Sequence, residues 1–333
     1  MRNRRLIVKF ATVTILLIAL LNFNWDRVEL ENRAFVVALG IDAGEEEGFK
    51  VSMSIIDVVA LESGEQAPKT LLEAEGASLA AAMGQIGAKI TDEIYFGHTK
   101  AIILGEEVLR GASRVAHIAD NLARNSDLNI RTIIMATDKA AAEILAAPPK
   151  SESLLGLYLA NFYNNNSANV AAMVTKLDLE NFVAGLRNEE QVLIPKITLE
   201  DEEHKIGGVA ALTDMHLAGY ISEDKLLGHI WLNTNAAGMQ IVIDEGDGPI
   251  TLKITKSRPR RGEIAATGSI QGGAALRAGS DFTPEKIARL EGAFAQKIEQ
   301  EIEKTAEAFA ALNLSPPPAP NIRLKIQNTG AIK

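Results

Sequence analysis

The chain has 333 residues, 47% of them apolar and 23% charged, with a formal net charge of -9 and no cysteine. That balance is the one folded domains have, with room for roughly two or three of them, and it excludes a disordered chain. The acidity argues against a nucleic-acid partner. The absence of cysteine excludes disulfides, thiolate metal sites, a thiol nucleophile and acylation through a cysteine thioether.

Arg2, Arg4 and Arg5 lead into an apolar run from Phe10 to Leu21. Positive charge before hydrocarbon holds the N-terminus on the cytoplasmic side and sends the rest of the chain across the membrane. The uninterrupted run is about a dozen residues, the length of a signal-peptide core. Counted from Leu6 to Phe23 it reaches about 18 residues with Lys9 able to snorkel, which fits a short retained span. Leu20 to Asn24 is bulky and shows no small-x-small cleavage site. Residues 1–24 are therefore expected to be a signal or membrane-anchor segment, with cleavage and retention both open. No other apolar run has the length of a span.

Ala34–Ile41 is nearly all apolar, as in a strand buried on both faces. Gly40 and the acidic stretch Asp42–Gly48 turn the chain. In Phe49–Ile56, Phe49, Val51, Met53 and Ile55 then alternate with Lys50, Ser52 and Ser54, which predicts an antiparallel partner. Leu61–Leu72, polar and holding Gly64 and Pro68, reads as a loop or an irregular edge. Leu79, Met83, Ile86 and Ile90 predict a helix from Ser78. Tyr95–Leu104 reads as a strand ended by Gly105. Val108, Ala112, Val115, Ala119 and Leu122 mark the next helix, with Glu106 and Glu107 near its positive end. Ile130–Ala136 is a strand, followed by a short helix capped by Thr137 or Asp138 and stopped by Pro148-Pro149. Ser151–Arg187 reads as two helices around Asn164, Asn165 and Asn166.

Gln191–Leu199 carries Pro195, which predicts an edge strand. Glu200–Glu203 reads as a linker, dividing the chain into domains 25–200 and 201–333. Ile206–Leu212 and His216–Ile221 predict a hairpin around Thr213-Asp214, followed by a short helix, Glu223–Leu232. The remainder is β-rich: Met239–Ile243, Ile250–Ser257 and Glu263–Ile270. Ile287, Leu290, Phe294, Ile298, Ile302, Ala306 and Phe309 then line one face of a long helix, Pro284–Leu312. Ile322, Leu324 and Ile326 alternate in a closing strand expected to return to the sheet. The expected class is α+β, multi-domain, with mixed sheets and packed helices after an N-terminal membrane-targeting helix.

Catalytic chemistry is hard to find. His98, His117, His204, His216 and His229 have no metal-ligand spacing, and His98 and His117 read as packing residues. Gly207-Gly208 and Gly272-Gly273 open no helix and so make no phosphate cradle. No nucleophile elbow is present. Arg258-Pro259-Arg260-Arg261 reads as a solvated basic turn, and the aromatic trio Tyr158, Phe162 and Tyr163 as helix-pair packing. The residues alone support an exported, membrane-tethered α/β binding or scaffold protein with no cofactor. A tethered solute-binding protein stands within that class, and an exported hydrolase outside it.

Several stretches resemble the Ger(x)C family, the C subunits of spore germinant receptors. They are Trp25-Asp26-Arg27 with Glu29-Leu30-Glu31, then Ala34 to Val37 and Gly40-Ile41-Asp42. Phe96-Gly97-His98-Thr99-Lys100 through Glu107 looks like that family's Gly-His-x-Lys strand and the helix start after it. Gly208-Val209-Ala210, Ala218-Gly219-Tyr220 and Gly228-His229-Ile230-Trp231-Leu232 resemble its mid-chain hairpin and helix. Arg323 to Ile326 with Thr329-Gly330 resembles its final strand. Two departures stand out. Asn24 occupies the position of the family's lipidated cysteine, and only Asn313 to Pro320 fills the gap where the family has an aromatic and basic segment. The resemblance implies a non-enzymatic subunit on the outer face of the spore inner membrane. It would work with two integral membrane subunits, one transporter-like, in the response to nutrient germinants.

Overall fold

The computed structural model describes residues 12–14, 33–56, 69–150, 152, 154–165, 176–188, 190–244, 248–260, 262–273 and 282–328. Among these, the first sheet has nine strands. Third from one edge lies β1 (Arg33–Ala43), antiparallel to β2 (Phe49–Ile56), which is antiparallel to the edge strand β3 (Lys69–Gly76). Helix α1 (Leu79–Gly87), capped by the Ser78 hydroxyl, leads to β4 (Glu93–Tyr95) and β5 (Ala101–Leu104), both parallel to β1. Helices α2 (Glu106–Leu109) and α3 (Ala112–Arg124) precede β6 (Ile133–Ala136), parallel to β5. Three more helices come next: α4 (Ala141–Ala146), α5 (Leu155–Asn165) and α6 (Leu179–Arg187). The antiparallel run β7 (Val192–Glu200), β8 (Glu203–Thr213) and β9 (His216–Ile221) completes the sheet.

Strand β1 is buried on both faces, and its alternation assigns each side chain to one layer. Leu39 and Ile41 join the cluster built with Leu79 and Ile86 of α1, Val115 and Ile118 of α3 and Phe182 of α6. Ala38 joins the opposite cluster with Ala141, Ile144 and Leu145 of α4 and Leu155 and Leu159 of α5. Strand β5 divides the same way, Ile102 and Leu104 to one side, Ala101 and Ile103 to the other. Helices thus cover both sides of the parallel centre, which is why these strands read as unbroken apolar runs.

After a single 3-10 turn, Glu223–Lys225, and α7 (Leu227–Asn233), a second sheet begins: β10 (Gln240–Asp244), β11 (Pro249–Arg260), β12 (Glu263–Gly273) and β13 (Asn321–Asn328), in that order. Between β12 and β13 runs α8 (Pro284–Ala311), with Thr283 capping its first turn and Pro284 at the start. Leu290, Phe294 and Ile298 of α8 and Trp231 of α7 pack on Leu252, Ile254, Ile264 and Leu324 of this sheet. Gly228 lets α7 touch α8: a Cβ there would overlap Ile302, and its N–H donates to Thr305 Oγ1 at 3.0 Å. The far end of α8 reaches the first sheet, where Phe309 and Leu314 pack with Val209, Ala211 and Ile221.

Several expectations change. Of Leu61–Leu72, residues 61–68 lie outside the described residues, and the rest opens the regular edge strand β3, which runs on to Gly76. Tyr95–Leu104 is two strands, because Gly97-His98 makes a turn closed by Thr99 N–H on Phe96 O at 2.9 Å. The helix expected from Val108 to Leu122 breaks into α2 and α3 at Gly111. Pro195 is not on an edge. β7 lies between β6 and β8, but its ladder to β6 is confined to Ala136 opposite Lys196, and the β8 register shifts beside Pro195, so the missing N–H goes unused. Glu200–Glu203 is no linker. Asp201 (φ 48°) and Glu202 (φ 64°) form the tight turn of the β7–β8 hairpin, so the first sheet runs past position 200 to Ile221. Gly207-Gly208 lies within β8, and Gly272-Gly273 ends β12. Arg258 and Arg260 end β11 rather than sitting in a turn, and Arg261 lies outside the described residues.

His229 is half-buried on α7, with its ring 6.0 Å from that of Phe309 on α8. Burial holds its imidazole below the ordinary value of 6.5. Protonation therefore favours the unfolded chain: the stability this group contributes is complete above about pH 6.5 and is lost as pH falls through the lower native value. Thermal melts between pH 7 and 5 are expected to fall more steeply for the wild type than for His229→Gln. Equal slopes would remove the helix contact as the titrating element.

Candidate functional site at the two ends of strand β1

Helix α4 starts with orphan backbone N–H groups, and its cap position, Ala140, offers no side chain to accept them. The acceptor comes from the end of β1, about a hundred residues earlier in sequence. Asp42 Oδ1 accepts from Ala141 N at 2.7 Å and Oδ2 from Ala142 N at 3.1 Å. Asp42 is 8% exposed. Burial pushes its carboxyl above the ordinary aspartate value, against the two N–H groups and Lys50, which favour the charged form. Lys50 stands opposite Asp42 in the β1–β2 register, but its own partner is Glu73 at 2.7 Å.

Glycines make this cap fit. Gly40 shares the α4 face of β1, and a Cβ there would come within 2.8 Å of Leu145 Cδ1. A Cβ on Gly105 would overlap Asp42 Oδ1, while the Gly105 N–H donates to Ile41 O at 2.9 Å. The Gly40-Ile41-Asp42 triplet is therefore a helix seat: a gap for α4 at one position and its cap two residues on. The expected cap from Thr137 or Asp138 is replaced by this one. Asp138 instead bonds Thr198 at 2.8 Å and Lys196 at 3.1 Å, which hold its carboxyl below the ordinary value against burial.

The opposite end of β1 is aromatic, with Phe35 buried and Tyr95 half-buried. The Arg33 guanidinium lies 5.0 Å over the Tyr95 ring, and Phe35 meets Tyr95 at 5.6 Å and His98 at 5.3 Å. His98 is exposed and in a turn, stacked on Phe35 rather than packed inside a strand. Gly97 leaves room for the Tyr95 ring to fold back over the turn. Lys100 anchors by its backbone, donating to Val37 O at 2.8 Å and accepting from Ile133 N at 2.9 Å, while its side chain is exposed. It lines a cleft of about 340 Å³ with Arg131, Lys176, Asn129 and Asn161. Arg131 is bound to Asp178, the cap of α6, at 3.1 Å.

The expected site residues thus fall into separate places. Gly40 and Asp42 sit at one end of β1 and Gly97, His98 and Lys100 at the other. Gly219 makes room on β9 for Leu312, and Trp231 is fully buried with its Nε1–H on Glu301 at 2.7 Å. Asn24, Trp25, Asp26, Glu29, Leu30 and Gly330 lie outside the described residues. Sequence reasoning missed Arg131 and Lys176, because only the pairing of β5 with β6 and the docking of α6 bring them beside Lys100. It named Tyr220 only as part of the hairpin motif and gave it no bonding role; its hydroxyl lies 3.1 Å from Thr137 O and 3.3 Å from Glu106 Oε2, with its phenol pushed up by burial and by Glu106. Of the other histidines, His204 bonds Ile144 O at 2.9 Å and His117 is exposed beside Phe49. No group of three or more His, Asp or Glu among the described residues could hold a metal. No helix among them is long and apolar enough to cross a membrane.

A mixed sheet seated on α4 through β1, followed by a smaller sheet wrapped on one long helix, defines an α+β protein. The family described as "Spore germination protein N-terminal domain" matches residues 26–199, more than half of the chain, and the chain belongs to this Ger(x)C family of germination proteins. It is 23% identical over 140 residues to "Spore germination protein KC" of Bacillus subtilis (strain 168), a match covering 40% of this chain. That match spans only 34% of the relative's length. The fold is similar to that in "Crystal Structure of the GerBC protein", with a TM-score of 0.50 at 15% identity, covering 87% of this chain and 96% of that one.

Asp42→Ala leaves two buried N–H groups without acceptors and is expected to cost ~1–3 kcal/mol in chemical denaturation. Asp42→Asn keeps one acceptor oxygen and is expected to cost less. An alanine variant as stable as the wild type would show that α4 needs no cap from β1.

Proposed function

We propose that this chain is a non-enzymatic, membrane-tethered subunit of a spore nutrient germinant receptor. In this reading it acts with two integral membrane subunits, one of them transporter-like, at the outer face of the spore inner membrane. The family match across residues 26–199 carries the reading, and the basic-then-apolar order of residues 2–21 supports the tether. With Asn24 in place of a cysteine, the apolar run itself holds the chain at the membrane. We divide the chain between the two sheets, at the segment joining Ile221 to Gln240. We assign Gly40, Asp42, Gly219 and Trp231 to support of the fold, and His98 and Lys100 to contact with the integral subunits.

That assignment rests on exposure and position. His98 and Lys100 stand at the end of β1 where the chain arrives from its N-terminal segment. Contact residues on a turn held by a rigid sheet keep their geometry without contributing to the core. The full chain is expected to co-purify from spore membranes with two multi-span proteins. Lys100→Glu is expected to weaken that association and slow nutrient germination while leaving the melting temperature unchanged. Recovery as a lone soluble monomer, with normal nutrient germination in a deletion strain, would overturn the reading.

One feature favours a second reading, a tethered solute-binding protein. A cleft of about 490 Å³ opens where the β7–β8 hairpin meets the start of α7, lined by Lys196, Thr198, Lys205, Ser222, Glu223 and Asp224. A ligand there raises the melting temperature as RT ln(1 + [L]/Kd). A rise for one compound in a panel of amino acids and sugars is the expected result of this reading, and a flat response across the panel rejects it.

A further inference from the structure

One face of the second sheet is covered by α7 and α8, and the other is bare. On the bare face β11 presents Lys253, Lys256, Arg258 and Arg260, and β13 presents Arg323 and Lys325; all but the half-exposed Lys253 are exposed. Register sets them in rows. Arg258 pairs with Ala265 and Ala265 with Arg323, while Lys256 pairs with Thr267 and Thr267 with Lys325. Each row is a cation, a short side chain and a cation, so like charges never stand directly opposite, where they would destabilise the ladder. Among the described residues the carboxylates nearby are Glu263, opposite Arg260 in the register and bound to Arg323 at 3.1 Å, and Asp244 at the end of the edge strand β10. Lys253, Lys256, Arg258, Arg260 and Lys325 have no carboxylate partner among the described residues.

Ordinary solubility does not account for this. Soluble surfaces intersperse both signs, and a chain with a net charge of -9 has more acids than bases to place. Cations on an edge strand guard it against pairing with other chains. That explains β13 but not β11, which is interior to the sheet.

We propose that this face is an electrostatic docking surface for anionic phospholipid headgroups. The face is open, and its centre is Ala265, Thr267 and Ser269; among the described residues its one exposed large apolar side chain is Val242, out on the edge strand β10, and it has no aromatic anchor. Protein interfaces take their affinity from such anchors and are depleted in lysine. A layer of phosphates needs none, and rewards each cation brought within a Debye length. The proposed tether, on which this part of the argument rests, keeps the face at high effective concentration beside such a layer.

The test places the full chain on vesicles of phosphatidylcholine alone or mixed with phosphatidylglycerol and follows lysine acetylation by mass spectrometry. Lys253, Lys256 and Lys325 are expected to be protected on the anionic vesicles only, with release at high salt, and Lys286 on α8 to label equally in both. Replacing Lys256 and Lys325 by serine is expected to lower affinity for anionic vesicles by about fivefold per charge. Equal labelling on both lipids overturns the proposal. Protection only in native membranes holding the integral subunits overturns it too, in favour of an acidic protein surface. The tether is read separately, from partition onto pure phosphatidylcholine, so either idea can fail without the other.

Discussion

The carboxylate of Asp42 joins an interior, doubly covered strand of the first sheet to the start of a helix that the chain reaches about a hundred residues later, with two charge-assisted bonds in a site from which water is nearly excluded. A group like this is costly to bury, and the raised carboxyl value reflects that cost. It persists because its oxygens meet N–H groups that would otherwise be orphaned at the start of α4. Once α4 is seated, Ile144 and Leu145 close the layer over Ala38 and Ala101, and α5 packs beside them. Gly40 and Gly105 clear the space the cap needs, so a short sequence triplet acts through shape as much as through charge.

This clarifies how a protein with no visible catalytic chemistry can carry recognisable sequence landmarks. Gly40, Asp42, Gly219, Gly228 and Trp231 are positions where the backbone must leave room for a neighbouring side chain or helix, or where a buried polar atom needs one particular partner. Gly97, His98 and Lys100 are different. They occupy a turn hung between two strands by bonds to Val37 O and Phe96 O, with the imidazole and ammonium turned outward. A rigid mount with exposed chemistry is what the proposed contact with the integral subunits requires.

Much of this architecture was legible from the chain alone. Ala34–Ile41 announced a doubly covered strand, and the spacing from Leu290 to Phe309 announced α8, because local periodicity reports which faces are buried. The misreadings came from long-range effects. Asp201 and Glu202 look like a charged linker, yet with positive φ they make a tight hairpin turn. Pro195 looks like an edge marker, yet an interior strand tolerates it where the neighbouring ladder has a single rung. Asp42 could not be seen as a helix cap, since its helix begins at Ala141. Nor could the cleft around Lys100, which is assembled from the turn before β5, the stretch leading into β6, helix α5 and Lys176 ahead of α6.

Helix α8 has 28 residues, ~42 Å of continuous helix. From Leu290 to Ile302 it belongs to the core of the second sheet, and its C-terminal end, with Leu312 against Gly219 and Phe309 beside Val209, belongs to the first. A helix of this length is stiff along its axis, so it ties the two sheets through one continuous element, and Gly219 gives its tip a seat on β9 with no side chain between them.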